Sequence, residues 1–357
     1  MLTEMIVLGI ESSCDETSVG IVKDGTCLLS NQSATSLTLH AHYGGVVPEI
    51  AARSHIEAII PVVQEALEKA KYTWDDIDAI AVTYGPGLNG SLLIGVLAAR
   101  TLAIAKNKPL YAVNHVEGHL YANFLIETAL PDYQMRTDPP EFPILGVIVS
   151  GLHSQLVVFR GHFDYTLLGE THDDAIGEAF DKVARILGLA YPGGVKLSAL
   201  ALNGDDRAYT FPKARMKGKY DFSFSGLKTA VLRLAQEQVG KDYSLPSFAL
   251  PGLLNDVQKA DIAASFQRTA CETIVDKVLL AYDEFSPKSV IVGGGVAANS
   301  ELRRQLADRL PCPIEYLDLK LCGDNGAMIA TLGYFHALHG QPVADAYSLS
   351  PKPNLSM

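Results

Sequence analysis

Cysteine is scarce in this chain of 357 residues, and what there is lies scattered. Cys14, Cys27, Cys271, Cys312 and Cys322 form no Cys-x-x-Cys pair and are odd in number. That excludes a disulfide framework and a structural zinc knuckle, and it reads as a reducing compartment. Positive charge is also short. Lys and Arg total 29 against 40 Asp and Glu, a net charge of −11. A protein that lives by phosphate contacts is usually basic, so the composition argues against a general nucleic-acid binder. Any RNA contact must come from a local basic patch or from a partner. No stretch reaches the roughly 18 apolar residues of a membrane span. The opening Met1 to Gly9 carries Glu4 and no basic cluster, so a secretory signal is not expected. A protein of the cytoplasm with no membrane partner is the expectation. Low-complexity tracts are missing, and so is the Gly-x-x-x-x-Gly-Lys-Ser/Thr loop of P-loop enzymes.

What is present is a chain with 48% hydrophobic residues, enough for large cores. Its length favours two domains. An apolar run at 5–10, a polar turn Glu11-Ser-Ser-Cys-Asp-Glu16 and a second apolar run at 17–22 read as a hairpin. The same event recurs at 144–149, 150–154 and 156–159, which suggests two related α/β halves. Helical spacing follows each: 56–70, 90–105 and 117–130 in the first half, then 174–187, 225–238, 260–282, 300–310 and 325–338. Residues 289–292 read as a buried strand. The Pro- and Asp-rich stretch 131–143 is the most linker-like. The expected division is therefore an N-terminal lobe at 1–135 and a C-terminal lobe at 140–357. The second carries a helical insertion around 195–260 and a last helix able to pack back on the first lobe.

Glycine clusters recur between elements: Gly44-Gly45, Gly85-Pro-Gly-Leu-Asn-Gly90, Gly193-Gly194 and Gly293-Gly294-Gly295. Glycine lets backbone approach a ligand closely. Gly293–Gly295 stands between a strand and a helix that Asn299 or Ser300 can cap, a geometry suited to a nucleotide. Gly85–Gly90 spells Gly-x-Gly-x-x-Gly, yet a dinucleotide site wants an acid roughly 20 positions on. No acid occurs from Ser91 to Val116. Hairpins opening two halves, with nucleotide loops between, fit the actin-like and sugar-kinase class instead.

Asn114-His-Val-Glu-Gly-His119 is the sharpest local signal. His115 and His119 lie four apart, on one face of a helix, where two imidazoles can share a metal. Two histidines this close also arise without a metal. Glu117 stands two residues after the first His. At roughly 100° per residue it points about 200° away from it, which removes the general base a zinc protease needs. Asp324 opens an apolar helix and is either a cap or a third ligand. Two His and one carboxylate suit Fe(II), or Zn(II) with a displaceable water.

Taken together these stretches resemble the bacterial TsaD family, once called glycoproteases. The matching segments are Gly9-Ile-Glu-Ser-Ser-Cys-Asp-Glu-Thr-Ser18, His42-Tyr-Gly-Gly-Val-Val-Pro-Glu-Ile-Ala51, Gly85-Pro-Gly-Leu88, Asn114–His119, Asp173–Val183, Tyr191-Pro-Gly-Gly194, Phe222–Ala230, Gly293–Asn299 and Asp324–Ala330. They run across nearly the whole chain. The resemblance implies an α/β, actin-like fold of two related lobes, with a nucleotide and a metal in the cleft between them. It implies a metal on His115, His119 and Asp324. It also implies a donor nucleotide on Ile148, Val149, Ser150, Gly151, Leu152, Asp181, Gly194 and Asn299.

The family's reaction moves a threonylcarbamoyl group from threonylcarbamoyl-AMP to the amine of the adenosine following the anticodon, in tRNAs that read codons starting with A. A separate adenylate-forming enzyme supplies the donor, TsaB and TsaE type proteins are partners, and ATP, ADP or AMP can occupy the cleft. Glu11 and Asp15 are the candidate proton acceptors; both could equally be hairpin residues. Leu152, Val195 and Gly323 depart from the residues usual at those positions.

One local run is basic: Arg207, Lys213, Arg215, Lys217, Lys219, Lys228 and Arg233, with Phe211 and Tyr220 interleaved. Lys213, Arg215, Lys217 and Lys219 are the candidate tRNA contacts, against the plainer reading of a solvated face. The helix at 90–105 is apolar enough for a partner face, against the plainer reading of core packing. A non-catalytic scaffold, a small-molecule kinase and a metalloprotease stand as alternatives.

Overall fold

The structure, a computed structural model, describes residues 4–357. The chain forms two compact units. One takes Met1–Glu141 and Glu315–Met357, the other Phe142–Ile314.

The first unit opens with β1 (Ile6–Glu11), β2 (Glu16–Lys23) and β3 (Cys27–Thr35) as an antiparallel meander. A short α1 (Leu37–Ala41) and a long α2 (Pro48–Ala70) follow, with Pro48 at the first helical turn, where its missing N–H costs nothing. Then come β4 (Ala79–Gly85), α3 (Asn89–Lys106), β5 (Leu110–Asn114), α4 (His115–Tyr121) and β6 (Glu127–Thr128). The sheet order is β5-β4-β1-β2-β3-β6, with β1 parallel to β4. Every residue of β1 is buried, as a strand covered on both faces requires. Ile6, Leu8 and Ile10 pack with Ile59, Val62 and Val63 of α2 and Val96 and Ala99 of α3.

The second unit begins with β7 (Ile144–Val149), β8 (Ser154–Gly161) and β9 (Asp164–Glu170), again an antiparallel meander. Helices α5 (Ile176–Ile186), α6 (Gly193–Ala201), α7 (Ser225–Gln238) and α8 (Asp256–Phe285) precede β10 (Ser289–Gly293) and α9 (Ser300–Arg309). The sheet order is β10-β7-β8-β9, with β10 parallel to β7. This repeats the β4-β1-β2-β3 core of the first unit strand for strand, the two related halves of the actin-like class. The 30 residues of α8 start from a reciprocal capping box between Asn255 and Gln258.

Past Ile314 the chain returns to the first unit through α10 (Leu319–Cys322) and α11 (Gly326–Leu338). The expected division counts this segment with the C-terminal lobe and lets its last helix pack back on the first; the segment groups with the first unit, because α11 is apolar on nearly every side and lies against β1, β2, β4 and α4. Glycines make that approach possible. A Cβ on Gly9 would lie 2.2 Å from Ala330 N, and one on Gly326 would lie 2.1 Å from Gly20 N.

Two local readings shift. The helix expected over 117–130 stops at Tyr121, because Glu127–Thr128 pairs with the edge of β3. The glycine pair 193–194, read as a loop, opens α6: Asp181 takes the N–H groups of Gly193 and Gly194 at 2.8 and 3.1 Å and so caps that helix from outside. Among the described residues no helix is long and apolar enough to cross a membrane.

Candidate metal centre and donor segments

Asn114 ends β5 and caps α4: its Oδ1 accepts from Val116 N at 2.8 Å and Glu117 N at 3.2 Å. The helix that starts there is wholly buried and aims His115 and His119 the same way. Asp324 arrives from the turn before α11, whose own start is capped by Asn325. One oxygen, Asp324 Oδ1, lies 3.5 Å from His115 Nε2 and 3.4 Å from His119 Nε2. The three ligand atoms fall within 4.8 Å of one another. Four-coordinate zinc with bonds near 2.05 Å sets its ligands about 3.3 Å apart, so the two carboxylate–imidazole spacings are those of a shared cation. His119 is 1% exposed and neither of its ring nitrogens has a hydrogen-bond partner. Burying an imidazole in that state is costly unless something else binds it. The residues therefore fit a metal.

Glu11 supports this cluster from beneath. It is fully buried; Oε1 accepts from Ser13 N at 2.6 Å, and Oε2 accepts from Thr83 Oγ1 at 2.5 Å and His115 Nδ1 at 3.0 Å. Donation from Nδ1 turns Nε2 toward Asp324, where a bound cation would take the place of the Nε2 proton, the usual way a second carboxylate orients a metal-binding imidazole. Burial alone would raise the Glu11 pKa, yet the charge and hydrogen bond of His115 hold it low. Burial likewise pulls on His115, but Glu11 and Asp324 outweigh it and carry its pKa up to about 9. Asp15 is raised by burial, then by Asp324. Glu16 is pushed up to about 8 by burial and then by Asp324, Asp15 and Glu11. Glu117 stands apart: burial pushes it up to about 7 with no contribution from the cluster, and its Oε1 has no hydrogen-bond partner.

The donor-binding candidates all lie in the second unit, and the fold connects them. Ile148 and Val149 end β7, and Ser150 Oγ accepts from Leu152 N and His153 N to close the turn. Gly294, at φ 95°, is packed so that a Cβ would lie 2.5 Å from Val149 O. Asn299 caps α9 through Leu302 N and donates to Ser198 Oγ at 3.0 Å; Ser198 in turn donates to the Gly194 carbonyl at 3.0 Å. Gly194 N is held by Asp181. Gly151 and Leu152 are exposed at the tip of the turn.

A family model described as tRNA N6-adenosine threonylcarbamoyltransferase matches residues 27–331. The protein of that name from Symbiobacterium thermophilum is 49% identical over 337 residues, covering 94% of this chain and 92% of the relative. This chain belongs to the TsaD family. Another member, from Dehalococcoides mccartyi strain CBDB1, is 44% identical over 353 residues and covers 99% of each chain. Among solved structures, T. kodakarensis HypF superposes with a TM-score of 0.61 at 15% identity, covering 95% of this chain and 48% of that one, a likeness of fold alone.

In this TsaD chain the basic run lies mostly on an irregular strap, residues 202–224, laid along α8. Its charges are not equivalent. Lys213 pairs with Asp276 at 2.6 Å and Glu272 at 3.2 Å, and Lys219 pairs with Glu284. Lys228 is tied to Asp174 at 3.0 Å. Arg215 and Lys217 are exposed. Sequence reasoning missed Ser13, Thr83 and His55, which hold the first hairpin. Ser13 lies inside the matching Gly9–Ser18 segment but has no role of its own there, and Thr83 and His55 lie in no matching segment; only their position in the fold gives all three a role.

Proposed function

We propose that this chain transfers a threonylcarbamoyl group from threonylcarbamoyl-AMP to N6 of the adenosine following the anticodon, in tRNAs reading codons that start with A. Family membership over nearly the whole chain supports the reaction class. The observation that carries the reading is the cluster of buried His115 and His119 with half-buried Asp324, backed by Glu11. A non-catalytic scaffold has no use for a histidine buried in its core without a hydrogen bond.

In the reaction the adenosine N6 attacks the carbamoyl carbon. The bond from that carbon to the phosphate oxygen breaks, AMP leaves with the electron pair, and N6 gives up a proton. Asp15 is the better acceptor of that proton: Glu11 spends both oxygens on Ser13, Thr83 and His115, while Asp15 has its pKa raised. His115, His119 and Asp324 would hold one divalent ion, Fe(II) by first preference and Zn(II) by second. Bound there, it supplies Lewis-acid stabilisation of the carbamoyl and threonyl oxygens. The turn at 148–152, with Asp181, Gly194 and Asn299, would carry the adenylate, and AMP, ADP or ATP would compete for it. An aryl amine is a weak nucleophile, so positioning carries much of the rate.

Arg215 and Lys217, with Lys213 and Lys219 once released from their acidic partners, are the proposed tRNA phosphate contacts. A TsaB type partner would cover the apolar face of α2 and α3, where Ile56, Ile60, Leu93, Leu97 and Ile104 are all exposed. A TsaE type protein would act with it. The adenylate-forming enzyme supplies the donor, and all of them would work in the cytoplasm.

The test is transfer of labelled threonine to tRNA with those proteins supplied, for the wild type and His115→Ala. Modified tRNA with the first and near-loss with the second is the expected result. No modification by folded, metal-loaded wild type would overturn the assignment. ATP-dependent phosphorylation of a small molecule would then point to a kinase, and casein cleavage stopped by a chelator to a protease.

A further inference from the structure

The turn between β1 and β2 carries Asp15 and Glu16, and its shape is imposed from outside. Three successive carbonyls are each held by another element. Ser13 O accepts from Leu88 N at 2.8 Å. Cys14 O accepts from Ser91 Oγ on α3 and from His55 Nε2 on α2, both at 3.0 Å. Asp15 O accepts from Ser36 N at 3.0 Å and Ser36 Oγ at 2.9 Å.

The acceptors fix the tautomers of two buried histidines. A carbonyl can only accept, so His55 carries its proton on Nε2. Its Nδ1 is then a lone pair, and Thr17 Oγ1, 2.7 Å away, donates to it. Ser36 spends its hydroxyl proton on Asp15 O, so His40 Nε2 donates to Ser36 Oγ at 3.0 Å. His40 Nδ1 then accepts from Val47 N at 3.2 Å, at the residue that opens α2. His55 is 1% exposed, and burial holds its pKa below the usual imidazole value. His55 thus bridges α2 to both ends of the turn; two residues past Glu16, Ser18 Oγ accepts from Gly326 N at 2.8 Å, two residues past Asp324, which sets the start of β2 beside the Asp324 turn.

We propose that His55 is a positioning residue for the transfer reaction: a neutral imidazole on α2 that fixes the β1–β2 turn, and with it Asp15 and Glu16, against the Asp324 side of the metal cluster. The proposal rests on the transferase reading above. His55 touches no ligand of the cluster. Ser13, which contacts His115 at 3.1 Å and Glu11 at 2.6 Å, is held separately by Leu88 N, so removal of His55 should loosen residues 14–17 and leave His115, His119 and Asp324 in place. Misplacing a reacting group by about 1 Å costs on the order of 100-fold in rate.

The test compares wild type, His55→Leu, His55→Gln and Thr17→Val in the threonine-transfer assay, with bound metal and hydrogen exchange at amides 13–17 measured on the same samples. Leucine fills the site without donor or acceptor, glutamine restores one of each, and valine removes only the hydroxyl. Expected for His55→Leu are full metal content, an unchanged KM for tRNA, and kcat lower by roughly 100-fold, with faster exchange confined to 13–17. His55→Gln should recover most of kcat, and Thr17→Val should move the same way by less. Should the leucine variant not fold, the glutamine and valine variants carry the comparison. Wild-type kcat in a folded, metal-loaded His55→Leu or Thr17→Val overturns the proposal, as does loss of metal in step with loss of rate. If the wild type transfers nothing, the reaction reading fails, and exchange at 13–17 still decides whether His55 holds the turn.

Discussion

Replacing Gly20 by alanine tests how the metal cluster is assembled. Gly20 lies on β2 beneath the start of α11, and a Cβ there would stand 2.2 Å from Ala327 N and 2.5 Å from Ala327 Cα and Gly326 C. All three neighbours are backbone, so no side chain can swing aside. Ordinary contact begins near 3.4 Å, so α11 must withdraw by about 1 Å, an overpacking that costs roughly 1–3 kcal/mol. Asp324 precedes α11 by two residues and moves with it, while His115 stays tied to Glu11. Metal sites tolerate about 0.2 Å in ligand distance. Gly20→Ala should therefore lower metal affinity by about 10- to 100-fold, the size of effect seen when support for a ligand is lost. It should also lower Tm by about 2–12 °C, at roughly 2–4 °C per kcal/mol for a unit of this size. Metal analysis after dialysis and a thermal melt measure both. Gly226→Ala is the control, since a Cβ there meets nothing within 4 Å. A Gly20→Ala protein with wild-type Tm and metal content would refute the claim that close helix-to-strand packing places Asp324.

Glu11→Gln keeps the shape under His115 and removes the charge; metal affinity should fall by roughly 10- to 100-fold in an equilibrium titration. Arg215→Ala with Lys217→Ala should weaken tRNA binding across sequences and lower the slope of log K against log salt by about 2. Lys213→Ala should change the slope less, because that amine already serves Asp276 and Glu272. Burial holds His336 down to about 4, against 6.5 when free. The unfolded chain therefore takes up a proton that the folded one refuses, so stability falls as pH drops from about 6.5 to 4. His336→Leu should flatten that limb of a stability–pH curve by an amount on the order of 3 kcal/mol.

Much of the candidate site is written locally. Asn114, His115 and His119 sit within one helical turn and its cap, so period and capping chemistry suffice to align them. The two hairpin openings were legible for the same reason: strand patterns are periodic over a few residues, and a turn between them is visible as a polar break. Asn299 as the cap of α9 is equally local.

What the sequence by itself determined is the inventory and the repeat: two strand–turn–strand openings, a pair of histidines on one helix face, a carboxylate before an apolar helix, and loops of glycine. What only the tertiary structure decided is which of these meet. The chain leaves the second unit after Ile314 and returns α11 to the first, and nothing local to Asp324 says so. The return is driven by burial of a helix apolar on all sides, and it is permitted where Gly9, Gly20 and Gly326 let backbone touch backbone. His55 and Thr83 became part of the site the same way. A lone histidine on a helix and a lone threonine on a strand have no signature, and they acquire a role only when packing sets them against Cys14, Thr17 and Glu11.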